Sequence, residues 1–218
     1  MISDLQKLGG ISALIEAALY VTGFGLFLTV LDPSGYEGHV QQVAFLADNQ
    51  VVSYIANLLI YVVFGVVLVV LVLALHARLK NGSPAIMQTA TAFGLIWAGL
   101  VIASGMIANI GNSTVIGLFS ENQDQAVSLW LAIITVQEAL GGGNEIVGGL
   151  WVLLLSWAAL RGSKLPKALN YLGVLVGLAG ILTVVPAFDV LMDVFGLGQI
   201  VWFAWLGIVM LRENPSAT

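Results

Sequence analysis

Three carboxylates stand inside or at the edge of long apolar runs: Glu16, Glu138 and Glu145. A charge held in hydrocarbon is costly, so an intramembrane acid is a functional candidate by default. Glu138 and Glu145 are seven residues apart, which on a continuous helix puts them on one face about 10 Å from each other. Gln137 and Asn144 repeat that spacing one position earlier. Other polar groups fall at the same depth. Tyr54, Asn57 and Tyr61 recur at i, i+3, i+7, and Asn109, Thr183, Gln199 and Trp202 stand in other runs. No Lys or Arg lies inside any run, so Glu145 has no internal salt-bridge partner and must be neutral or in contact with water. Either state allows exchange of a proton or a cation.

Two arrangements fit these residues. They can be polar glue, satisfied between helices with no cavity. Alternatively they line a vestibule open at the outer face, walled by Tyr, Asn and Trp with Glu145 at its floor. That pocket suits an amphipathic molecule or a cation better than a dissolved anion. Glu16 lies about 12 Å into the first run, with Ser12 and Tyr20 at i−4 and i+4 on its face. Its structural reading is a hydrogen bond to a neighbouring helix.

Much other chemistry is excluded. The chain has no Cys, hence no disulfide, thiolate nucleophile, Cys-ligated zinc or iron–sulfur cluster. His39 and His76 fall on opposite sides of the membrane in a six-span topology, which rules out a two-His haem or metal site in one chain. There is no Lys in a span for a Schiff base, no Ser-His-Asp order and no phosphate loop. The expectation is a protein that is not an enzyme, with no metal site and no identifiable cofactor. A net charge of −5 argues against a nucleic-acid partner.

The elements that position the acids follow from composition. Of 218 residues, 59% are hydrophobic and 9% charged, against about 25% charged in an average soluble domain. Mean hydropathy is +1.00. There is too little polar surface to wrap a soluble globule, and no strict alternation of the kind an outer-membrane barrel requires. The runs predict a single all-α transmembrane domain over 1–218: six spans at about 8–31, 51–76, 87–110, 126–160, 168–188 and 197–211. The first run is too long for a signal peptide and lacks a cleavage motif, so it is expected to be retained. With both termini cytoplasmic, Lys7, Arg78, Lys80, Arg161, Lys164, Lys167 and Arg212 all fall inside and none outside, as positive-inside orientation demands.

The run 126–160 contains Gly141-Gly142-Gly143. Division into two spans would leave pieces of about 22 Å against a hydrocarbon thickness near 30 Å and would put basic residues outside. One long helix with an outer overhang is the expectation. In the first outer loop, Val40, Val43, Ala44 and Ala47 recur at helical spacing. They predict a short amphipathic helix on the outer membrane surface. Gly173, Gly177 and Gly180 share a face of span five and predict close packing against a neighbouring helix.

The run Gly148-Gly149-Leu150-Trp151 through Leu160-Arg161-Gly162-Ser163-Lys164-Leu165-Pro166-Lys167, then Leu172-Gly173 and Gly177, resembles a bacterial membrane family. So does Leu73-Ala74-Leu75 with Leu79-Lys80. The family is known only as a domain of unknown function, with about six spans. The resemblance covers most of the chain through helix ends and packing glycines, and it implies a bacterial cytoplasmic (inner) membrane protein. Many members carry an Arg and a Glu in the third span; here Ala92 to Gly99 holds neither charge.

The functional expectation is therefore a non-enzymatic multi-pass membrane protein. It would bind a lipid-like hydrophobic or amphipathic ligand, or serve as an accessory subunit beside a membrane-protein partner or a second copy of itself. The ligand-binding residues would be Glu145, Asn144, Glu138, Asn57, Tyr54, Tyr61, Asn109, Gln199 and Trp202. The alternative is a small secondary transporter of a cation or small solute that uses the intramembrane carboxylates.

Overall fold

In the computed structural model, which describes residues 2–142 and 145–212, the apolar runs become helices that return on one another through short turns. α1 spans Ile2–Phe27 and ends in the turn that carries Asp32-Pro33-Ser34-Gly35. There the Ser34 N–H donates to Asp32 Oδ1 at 2.9 Å, and that bond holds the Asp32 carboxyl below its usual range. α2 (His39–Asp48) and α3 (Gln50–Asn57) follow; α3 runs through a π-helical segment, Leu58–Val63, into α4 (Phe64–Leu79). α5 (Pro84–Phe119) begins with proline, whose missing N–H costs nothing in the first turn of a helix.

α6 (Gln123–Gln137) is capped by Asn122, whose side chain accepts from the Gln125 N–H at 3.1 Å. A second π segment, Glu138–Gly142, leads to α7 (Ile146–Gly162). α7 stops at Ser163, which holds a left-handed φ of 50°. α8 (Lys167–Leu182), a 3-10 turn (Pro186–Phe188) and α9 (Leu191–Arg212) complete the described chain. Among the described residues there is no strand.

Among the described residues, five stretches are long and apolar enough to cross a bilayer: Asp4–Phe27, Gln50–Leu79, Pro84–Phe119, Gln123–Gly162 and Leu191–Arg212. α8 is equally apolar but shorter, at 16 residues, about 24 Å. Within the expected span 168–188 the helix ends at Leu182, ahead of Pro186, because proline and the residue before it resist helix.

One expectation is corrected. The run 126–160 is not one uninterrupted helix: Gly141 has non-helical geometry, with φ 168° and ψ 11°, and α7 begins at Ile146. The expected outer-loop helix is present as α2, and one side of it is held by protein. At 36 residues, α5 is about 54 Å long, more than a hydrocarbon layer of about 30 Å requires. The half of α5 nearer Phe119 gives α2 and α6 a protein surface to pack on, and Val43, Val115 and Ala126 are all fully buried together.

Within the bundle, α1 runs antiparallel between α4 and α9. Near its start Gly9 lies against Ala74 and Met210, and near its end Gly23 meets Ile60 and Gly196 meets Phe24. α7 and α8 cross at two glycines, where a Cβ on Gly177 would fall 2.7 Å from Leu153 N and 2.8 Å from Gly149 O. The expected glycine face is therefore an internal contact. Central packing is aromatic, with Trp97, Trp151, Trp202, Phe64, Phe195 and Phe203 in successive edge or tilted contacts at 5.3–6.4 Å.

The helix ends sort by charge. Gln6 Nε2 donates to Met210 O (3.1 Å), Arg78 Nη2 donates to Lys164 O (2.9 Å), and Gly82 abuts Gly162. These contacts gather all seven Lys and Arg residues of the chain at one end of the bundle. The opposite end carries Asp32, Glu37, Asp48, Glu121, Asp124, Asp189 and Asp193.

Candidate functional site

A cavity of about 320 Å³ opens beside the break in the α6–α7 run. α1 gives it Leu19, Tyr20, Gly23, Phe24 and Phe27, with Leu28 just past its end; the first π segment and α4 give Ile60, Tyr61 and Phe64. Trp97 and Val101 come from α5, and Gly141 and Glu145 from the break itself. Phe64 and Trp97 are buried, whereas Phe27 and Leu28 are 40% and 71% exposed. The floor thus lies on the aromatic core and the mouth at the C-terminal end of α1, the acidic end of the bundle.

Local backbone departures put the polar groups in place. Gly105 of α5 lies so close to the π segment that a Cβ there would be 2.6 Å from Tyr61 Cβ, which fixes where Tyr61 leaves its backbone. A π segment rotates the residues after it relative to their places on an α-helix, and such segments recur at functional sites. Here two of them, each supplying lining residues, meet at one cavity.

Glu145 is the N-cap residue of α7, and its side chain makes no capping hydrogen bond. Its backbone is anchored instead: the N–H donates to Thr183 Oγ1 at 3.3 Å and the carbonyl accepts from the Gly149 N–H at 2.8 Å. Thr183 is itself held by donating to Gly180 O at 2.7 Å. The carboxyl is thereby left to the cavity on a fixed stem. It sits at the positive end of the α7 dipole, which is worth about 0.3–1 kcal/mol to a carboxylate. That is well short of the several kcal/mol that desolvation costs. Tyr20 lies within electrostatic reach of Glu145, Glu16 and Tyr61.

The residues expected from sequence divide into groups. Tyr61 and Glu145 come together in the cavity. Asn57 Nδ2 donates to Asn109 Oδ1 at 3.1 Å, and Asn109 Nδ2 donates to the Tyr54 carbonyl at 3.3 Å. These three residues join α3 to α5 as polar glue, away from Glu145. Tyr54 and Asn109 also edge a smaller polar hollow of about 170 Å³ with Gln50, Ser53 and Asn112. Glu138 is exposed on the second π segment and does not line the cavity.

Gln199 and Trp202 are buried in the core at 0% and 1% exposure. Their side-chain nitrogens, with Gln199 Oε1 and the Ser156 hydroxyl, have no hydrogen-bond partner among the described residues. Asn144 lies outside the described residues, as does Gly143. Glu16 is fully buried, and among the described residues neither of its oxygens has the hydrogen bond expected of it.

Sequence reasoning missed the α1 wall of the site, although its signal was available: Tyr20, Phe24 and Phe27 recur at i, i+4, i+7. It also missed Phe64 and Trp97, which only tertiary packing brings in. Among the described residues no cluster of His, Asp and Glu has the makings of a metal site. The arrangement offers an apolar, aromatic recess with one anchored carboxyl and two phenols. No curated protein and no solved structure matches this chain. A family match, by contrast, covers residues 8–209, nearly the whole chain, and on it this protein belongs to the family described as domain of unknown function DUF4386.

Proposed function

We propose that this protein is a non-enzymatic, multi-pass protein of the bacterial cytoplasmic membrane that binds a lipid-like amphipathic molecule. The observation that carries the reading is the cavity of about 320 Å³ with aromatic walls and the Glu145 carboxyl. Its size falls at the lower end of small-molecule sites, and a mostly apolar lining with a few placed polar groups is the usual make-up of one. In the topology we favour, α8 is the sixth crossing, thinned to 16 residues and matched by local bilayer adjustment or flanking anchors. Both termini are then cytoplasmic, the seven basic residues lie inside, and the cavity mouth faces the outer leaflet.

Native mass spectrometry of the full chain purified in mild detergent tests the reading, with Trp97→Ala and Phe64→Ala as variants that reshape the cavity floor. A small molecule retained one-to-one by the native protein, and lost or exchanged in both variants, supports it. A native protein that carries nothing and shows no saturable uptake of an added monoacylglycerol refutes it. A stoichiometric protein partner in place of a small molecule would favour the accessory-subunit role instead.

Secondary transport of a cation or small solute is the second reading, and the broken α6–α7 run favours it, because interrupted helices often line transporter sites. Flux in proteoliposomes separates transport from static binding.

A further inference from the structure

The cavity's chemistry narrows the ligand class further. Six of its thirteen lining residues are aromatic (Tyr20, Phe24, Phe27, Tyr61, Phe64 and Trp97), and Glu145 is the one ionisable carboxyl among them. Aromatic faces attract organic cations through their negative quadrupoles, most strongly where water is excluded. Glu145 has no basic neighbour: none of the lining residues is Lys, Arg or His, and all seven Lys and Arg lie at the far end of the bundle. A carboxylate in such a place lacks the countercharge that burial demands, and a cationic ligand would bring it.

The mouth is tuned the same way. α1 ends at Phe27 and leads to Asp32, and Gly196 of α9, three residues beyond Asp193, packs on Phe24 of the cavity wall. Asp32, Asp189 and Asp193 are all exposed at that end, where no Lys or Arg stands. A single-sign field of this kind concentrates cations and repels anions before any contact is made.

Resting on the ligand-binding reading, we infer that the site selects an organic cation. Its ligand would be an amphipathic amine or quaternary ammonium whose apolar body lies against the aromatic walls and whose positive centre pairs with Glu145. A neutral lipid tail would satisfy the walls but not the carboxylate, and an anion would meet repulsion at the mouth and at the floor.

The test uses two probes of matched shape, benzyltrimethylammonium and its neutral carbon analogue neopentylbenzene, added to the full chain in nanodiscs. Ligand-induced thermal stabilisation gives each affinity. The native protein should prefer the cation at least tenfold over the neutral probe. That preference should vanish in Glu145→Gln and persist in Glu145→Asp, which keeps the charge; the melting curves of both variants without probe report whether they fold.

Equal binding of the two probes to the native protein overturns the cation inference while leaving a ligand site in place. So does a Glu145→Gln variant that folds and keeps the preference. Binding of neither probe overturns this inference, and if the native protein also takes up no amphiphile, the ligand-binding reading falls with it.

Discussion

Gly177→Ala tests whether the α7–α8 crossing is built as described. The new Cβ would lie 2.7 Å from Leu153 N, 2.8 Å from Gly149 O and 2.8 Å from Leu153 Cβ. Two of these three neighbours are backbone atoms of a helix, which cannot rotate away as a side-chain tip can. Restoring ordinary contact near 3.5 Å requires α7 and α8 to part by roughly 0.7 Å. Overpacking of this kind costs about 1–3 kcal/mol. For a chain of this length each kcal/mol moves the melting midpoint by about 2–4 °C, so Gly177→Ala should melt roughly 2–12 °C lower, and Gly177→Leu lower still. The control is Gly99→Ala, at an exposed glycine of α5 with nothing within 4 Å of its Cβ position. It removes a poor helix former at no packing cost and should be neutral or stabilising. Melting both variants in the same detergent gives the comparison. If Gly177→Ala and Gly99→Ala melt together, the two helices do not touch at this glycine and the packing argument is wrong.

Other outcomes rest on single residues. Asn109→Ala removes the bonds to Asn57 and the Tyr54 carbonyl and should cost about 1–2 kcal/mol without altering the cation preference of the cavity; a lost preference would show that the glue and the site are one. Ser163→Gly relieves a left-handed φ of 50° at an exposed position and should stabilise the fold by up to about 1–2 kcal/mol, read as a higher melting midpoint; a lower midpoint would contradict the cap geometry. Ser163→Cys, in a chain with no native thiol, should react with a membrane-impermeant maleimide only after the cytoplasmic side is opened, and Ser34→Cys should react in intact cells. Reversed labelling would invert the proposed topology.

The end-to-end sorting of charge and the identity of the apolar runs were legible in the sequence, because both are properties of single segments. The site was legible only in part, and the reason is specific. Tyr54, Asn57 and Tyr61 share a face only while the helix between them stays α. The π segment Leu58–Val63 widens the turn, so Tyr54 and Asn57 serve the α3–α5 contact while Tyr61 reaches the cavity. The seven-residue spacing of Glu138 and Glu145 fails in the same way. It assumes one continuous helix, and the break at Gly141 leaves Glu138 exposed and Glu145 inside. Glycine-rich sequence announced that something happens near 141–143, but not which side chain would profit. Phe64 and Trp97 join the site through the packing of α4 and α5, 33 residues apart in the chain, and no local pattern carries that information.

Glu16 poses a different problem from Glu145, and the structure separates the two acids. Glu145 faces a cavity; Glu16 is fully buried between packed helices, and neither carboxyl oxygen finds a hydrogen-bond partner among the described residues. A buried polar group left unsatisfied costs about 1–3 kcal/mol, and replacing it by an apolar group of similar shape is neutral or stabilising. Met matches the length and volume of Glu and removes the unsatisfied oxygens. Glu16→Met should therefore melt at the native temperature or several degrees above it, whereas Glu16→Gln keeps an unsatisfied amide and should gain nothing. Because Glu16 does not line the cavity, Glu16→Met should also keep the preference for benzyltrimethylammonium over neopentylbenzene. A clear drop in the melting midpoint with Met but not Gln would mean that the carboxyl is hydrogen-bonded after all. A stable Glu16→Met that loses the cation preference would mean that the two carboxyls act as a pair. Tyr20 is the residue through which they would do so, since it lies within electrostatic reach of both.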